Sequence, residues 1–141
     1  MSIFERAAAA ALLFVALAAV PASAADRRAV TMPVPGEPYF VQLAPMFVPV
    51  LAGNNMNRQV SIAVAVEIAD GAKARDVEDR RPALHDAFLG EIYAYVQQRG
   101  GLGDTNAELA LKDLLRNTAA GILDPIEVKE VEIEEFFEQG Q

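Results

Sequence analysis

The chain has 141 residues, a formal net charge of −8 at pH 7 and no cysteine. The acidic balance argues against nucleic-acid binding, which depends on clustered Lys and Arg, and against adhesion to anionic lipid. The lack of cysteine excludes disulfides, thiolate metal sites and a cysteine-linked N-terminal lipid anchor.

The N-terminus is predicted to be a signal peptide over residues 1–24. Its apolar run, 14 residues from Ala7 to Val20, matches the about 7–15 residues of a signal-peptide core. A membrane-spanning helix needs roughly 20. Ala22-Ser23-Ala24 supplies the small residues of a cleavage site, which predicts a periplasmic location. The alternative is an uncleaved anchor that holds the protein at the inner membrane, facing the periplasm.

A proline-rich segment leads into the first predicted strand. We interpret residues 25–38 as an extended linker, because they offer little that can be buried. Residues 39–50, rich in aromatic and branched side chains, are predicted to form an edge strand or two short strand pieces. Pro45 and Pro49 cannot donate a backbone hydrogen bond, which argues against a central strand.

The clearest strand pattern covers residues 58–69. Apolar side chains alternate there at period two, which predicts that one face lies against a core; they are Val60, Ile62, Val64, Val66 and Ile68. The opposite face carries Ser61, Ala63, Ala65 and Glu67. Its small side chains leave room for a helix of the same chain or for a neighbouring subunit.

Two helices and a last strand complete the predicted domain. Helical periodicity covers residues 75–99, with a break near Pro82, and residues 105–123, which begin with a capping box from Thr105 to Glu108. Residues 126–137 alternate as a strand with one phase slip, which is typical of a β-bulge. This order predicts an α+β domain over residues 39–141, with a small antiparallel sheet packed against two helices.

We predict no catalytic residue, no cofactor and no metal site. His85 is the only histidine; it lies on the flank of a helical apolar stripe and lacks an oriented partner for acid–base work. The glutamates of the last strand lack the glycine turn of a calcium loop. We interpret them as a solvated strand face that discourages edge-to-edge pairing.

Five residues are predicted as partner contacts: Phe47, Arg80, Arg81, Phe136 and Phe137. Phe47 belongs to the apolar edge of the first strand segment, and the two arginines lie where the first helix breaks. Adjacent residues of a strand point to opposite faces, so Phe136 and Phe137 cannot both face one core. One of them is either open to a partner or covered by a helix.

The order of these segments resembles the periplasmic domain of the flagellar basal-body-associated FliL family. The resemblance covers roughly residues 39–139 and is carried by "YFVQLAPMFVPVL", "RQVSIAVAVEIAD", "VEDRRPALHDAFLGEIYAYV" and "LDPIEVKEVEIEEFFEQ". The third segment is most similar to the family, through Arg81-Pro82 followed by Asp86-Ala87-Phe88-Leu89. The last ends with Phe136 and Gln139, like the family's usual F-x-x-Q ending.

The resemblance implies a non-enzymatic accessory of the flagellar motor, with a stomatin/SPFH-like fold. It also implies stator or basal-body partners and assembly as a ring of copies. The family carries a full transmembrane helix, so membrane association is expected here only if residues 1–24 are retained. An alternative from another class is a soluble ligand- or peptide-binding module that adds a strand to the free edge at residues 39–51.

Overall fold

The computed structural model describes residues 32–51 and 58–140. The predicted signal peptide and the linker up to residue 31 lie outside these residues. Within the described part of the chain, no helix is both long and apolar enough to cross a membrane.

The sheet is built around one long strand, β3 (Arg58–Ile68). Strand β4 (Val128–Gln139) pairs antiparallel with one edge of it. Strands β1 (Tyr39–Gln42) and β2 (Met46–Val50) lie end to end along the other edge, also antiparallel. The first predicted strand is therefore two short pieces, interrupted at Pro45, and Pro49 is tolerated because it lies on the sheet edge.

The described residues contain three α-helices, which are α1 (Ala74–Asp79), α2 (Arg81–Arg99) and α3 (Thr105–Leu123). The predicted break near Pro82 is confirmed, because α1 ends at Asp79, Arg80 separates the two helices, and Pro82 lies in the first turn of α2, where it costs no hydrogen bond. The predicted cap of α3 is wrong by one residue. Asp104 caps this helix, since its carboxylate accepts from the amide of Ala107 at 3.0 Å.

The core lies between the sheet and the helices. The alternating apolar residues predicted for β3 are all buried there, together with Leu84, Phe88, Ile92 and Val96 of α2 and Leu111 and Leu115 of α3. Helix α2 packs over β2, and α3 packs over β4. Each large side chain removed from water contributes about 1.5–3 kcal/mol. The predicted α+β class, with a small antiparallel sheet against helices, is confirmed.

Strand β4 contains two bulges. Val128 pairs with Ile68 and Glu130 with Glu67, so Lys129 is an extra residue and the predicted phase slip is confirmed. A second shift makes Glu134 an extra residue, between Ile133 and Glu135. The sequence pattern did not indicate this second bulge.

The end of the predicted linker forms a turn attached to the domain, and not an extended spacer. The amide of Gly36 donates to Asp70 Oδ1, and the amide of Gly71 donates to the carbonyl of Glu37, both at 2.8 Å. Gly71 is buried directly against the backbone of Val34. The side chains of residues 32–38 remain exposed, so hydrogen bonds and not apolar burial hold this turn in place.

Candidate interaction surface

One face of the sheet carries no helix of the described chain. All three helices contribute buried residues to the core on the other side of β3. We call the exposed side the outer face. In the strand register it comprises Gln59, Ser61, Ala63, Ala65 and Glu67 of β3, Phe40 and Gln42 of β1, Phe47 and Pro49 of β2, and Glu130, Glu132, Glu135, Phe137 and Gln139 of β4.

The small residues of β3 are covered by side chains from the two flanking strands. Gln42 Nε2 donates to both carboxylate oxygens of Glu134, at 3.1 and 2.8 Å. Gln42 lies beside Ala65 in β1, and Glu134 is the bulge residue of β4 on the other side of β3. The hydrogen bonds therefore cross the central strand, which is feasible only over a small side chain. This explains how Ala65 is fully buried on a face without a helix.

Two phenylalanines flank Ser61 in one row across the outer face. Ser61 pairs with Phe47 on one side and with Phe137 on the other. Phe47 is 59% exposed and Phe137 is 41% exposed, whereas Ser61 is only 5% exposed. Adjacent strands lie about 4.8 Å apart, so the two aromatic residues start roughly 10 Å from each other. The row is an apolar contact area with a small polar residue at its centre.

The structure brings together two of the five predicted partner contacts, Phe47 and Phe137. Phe136 lies opposite Ile62 and packs against the core. Arg80 is half-buried, and its Nη1 donates to the carbonyls of Ile122 and Asp124 at 3.2 and 3.3 Å, which satisfies the C-terminal end of α3.

The remaining predicted contact, Arg81, lies apart from the outer face. Its guanidinium forms an ion pair with Glu78 on the preceding helical turn. Ser61, at the centre of the aromatic row, was not predicted as part of a site. Its position in the period-two pattern showed which face it is on, but not which residues flank it.

The acidic residues of the outer face form a column along β4. Glu130, Glu132 and Glu135 face away from the core in register with β3. Glu130 is paired with Lys112 of α3 at 3.0 Å, and no described Lys or Arg pairs with the other two. The opposite column, on β1 and β2, carries Phe40 and Phe47. The outer face is thus apolar along β1 and β2, whereas along β4 it is acidic up to Phe137.

The free edge of β2 is partly occupied by Gln97 of α2. Gln97 Nε2 donates to the carbonyl of Pro49 at 2.6 Å, and the amide of Leu51 donates to Gln97 Oε1 at 3.0 Å. These are the backbone groups that an added strand would bind. A peptide that pairs with residues 49–51 must displace Gln97. Pro49 also has no amide hydrogen to donate to an added strand. Both features disfavour strand addition at this edge.

A shallow cleft of about 270 Å³ lies beside the start of α1 and is lined by charged groups, among them Asp70, Lys73, Asp76 and Glu127. The amides of Gly36 and Ala72 hold the pKa of Asp70 below its ordinary value by donating to its carboxylate. Across residues 32–51 and 58–140, no three His, Asp or Glu side chains are grouped as metal ligands. His85 Nδ1 lies 4.0 Å from the exposed Asp86, and neither residue lines the cleft.

The chain was also compared with known proteins. No protein-family model and no curated protein matches it.

Proposed function

We propose that this chain is a non-enzymatic periplasmic accessory protein of the FliL type, which supports the flagellar motor or its stator by binding other proteins. The observation that carries the proposal is the aromatic row of the outer face. Phe47 and Phe137 are both substantially exposed and lie on either side of Ser61. Neighbouring exposed aromatic residues are typical anchors of protein interfaces.

The architecture supports a docking role because the exposed row stands on a rigid base. Strands β2, β3 and β4 bury their other faces in the core. Phe47 and Phe137 are therefore positioned by paired strands and not by a loop. An aromatic side chain buries about 150–250 Å² at most. Two preorganised rings therefore supply apolar area at a small entropic cost.

The family assignment rests on the resemblance of the segment order. The proposed site of action is the periplasm, reached through the predicted signal peptide. In this proposal residues 1–24 decide whether the domain diffuses freely or stays at the membrane. The intact mass of the exported protein tests this point. A species that begins at Ala25 supports cleavage, and the full-length mass supports a retained anchor.

A gene deletion in the source bacterium tests the motor role. We expect slower swimming and weaker swarming as medium viscosity rises, with recovery when the wild-type gene is restored. Unchanged motility under load, or a source that makes no flagella, would refute the role. A periplasmic pulldown that returns short peptides and no motor component would instead support the peptide-binding alternative.

A further inference from the structure

We propose that the outer face binds a cationic amphipathic segment of a partner protein, with the apolar side chains of that segment on β1 and β2 and its Lys or Arg side chains on β4. This inference rests on the proposed protein-binding function and names the surface and the chemistry of the partner. The partner segment lies along the strip of small residues of β3, Ser61 and Ala63.

The apolar side of the surface is formed by Phe40 and Phe47, with Phe137 across the strip. Phe40 is 43% exposed and lies beside Glu67 at the far end of β3. Ser61 and Glu67 are six residues apart, which is about 20 Å along a strand. A partner segment of about six extended residues spans this length, and it passes over the Gln42–Glu134 hydrogen bonds that cover Ala65.

The acidic side has carboxylates available for ion pairs. Glu135 lies beside Ala63, and Glu132 lies beside Ala65; no Lys or Arg of the described residues pairs with either of them. Among the described strands, the basic residues are Arg58, which is paired with Glu138, and Lys129 at the bulge. The column therefore attracts a cation at its centre.

Charge favours a cationic segment on the outer face over a second copy of this chain, nucleic acid or anionic lipid. A second copy of the chain carries the same net charge of −8, and its own outer face has no Lys or Arg in register with β3 to pair with Glu132 and Glu135. Nucleic acid and anionic lipid are repelled by the negative charge. A segment in which Lys or Arg alternates with Leu or Phe matches both sides of the surface.

The test uses the full exported protein and two fluorescent probe peptides of equal length, one alternating Lys and Leu and one alternating Glu and Leu. Binding is followed by fluorescence anisotropy at low and high salt. We expect the Lys peptide to bind, more weakly at high salt, and the Glu peptide not to bind. Equal binding of the two peptides would overturn the proposal.

Variants locate the binding surface. We expect the double variant Glu132→Gln, Glu135→Gln to weaken binding about fivefold, which is what two surface ion pairs supply, and to reduce the salt dependence. Phe47→Ser should weaken it as well. Asp86→Asn and Leu109→Ser are matched controls, because Asp86 is exposed on α2 and Leu109 is 58% exposed on α3. Circular dichroism checks that every variant is folded.

Two outcomes separate this inference from the motor role. Outer-face variants that still bind the Lys peptide as the wild type does would refute the surface, whatever the motility result. Variants that lose peptide binding but fully restore motility to the deletion strain would refute the link to the motor and leave the surface standing. Controls that weaken binding as much as the outer-face variants would also refute the surface.

Discussion

Gly71 is a position where one added methyl group should loosen the domain. A Cβ at this residue would lie 2.5 Å from the carbonyl oxygen and 2.8 Å from the amide nitrogen of Val34. Both are backbone atoms, so no side-chain rotation relieves the contact. We expect Gly71→Ala to push the turn at residues 34–37 away from the start of α1.

The structure sets the size of the effect. Two hydrogen bonds join the turn to this corner, Gly36 to Asp70 and Gly71 to Glu37. Exchanging each for water costs about 1 kcal/mol, so the free energy of unfolding should fall by about 2 kcal/mol. That value lies within the about 1–3 kcal/mol typical of overpacking. The turn is exposed and can move, so a much larger loss is not expected.

Gly90→Ala is the matched control for this substitution. Gly90 lies in the middle of α2, and an added Cβ meets nothing within 4 Å. Replacing a helical glycine by alanine should stabilise the protein by about 0.5–1 kcal/mol. Urea unfolding followed by circular dichroism should therefore separate the two variants by nearly 3 kcal/mol. A Gly71→Ala protein as stable as the wild type would show that Val34 does not lie against Gly71.

Three further predictions concern single contacts. Gln97→Ala should lower the free energy of unfolding by about 1 kcal/mol, because the hydrogen bonds to residues 49 and 51 are lost. It should also increase self-association in analytical ultracentrifugation, because the edge of β2 becomes free. The control Gln98→Ala, on the exposed side of α2, should have neither effect. Two backbone amides lower the pKa of Asp70 in the folded protein. The ionised Asp70 therefore stabilises the folded state above its ordinary pKa of about 3.9. This contribution is lost as the pH falls through the lower folded pKa. Urea midpoints between pH 2 and 6 should show this loss in the wild type but not in Asp70→Asn. Tyr95→Phe removes a hydroxyl that donates to the carbonyl of Ala107 and should cost about 1 kcal/mol in thermal unfolding; an unchanged Tm would contradict that contact.

Local patterns were sufficient to predict the elements of the fold. The period-two pattern of β3 predicted both the strand and its core face, because burial of alternate residues is what makes a strand pack on helices. Pro82 predicted the break between α1 and α2 through its missing amide hydrogen. The sequence predicts Thr105 as the N-cap of α3, one residue after the observed cap Asp104, because both residue types can cap a helix. The chain is still extended at Asp104, with φ −102° and ψ −174°, so the helix begins after it.

The candidate surface depended on a feature that the strand pattern alone did not show. Simple alternation from Ile133, which faces the core, would place Glu135 and Phe137 inward and Phe136 outward. Burying the carboxylate of Glu135 without a partner would be costly, and the bulge at Glu134 avoids this by shifting the phase by one residue. Glu135 and Phe137 then face outward, while Phe136 lies opposite Ile62 in the core. The extra residue Glu134 thus keeps the carboxylate of Glu135 out of the core and also places the ring of Phe137 beside Ser61. The position of this bulge is seen only in the pairing of β4 with β3.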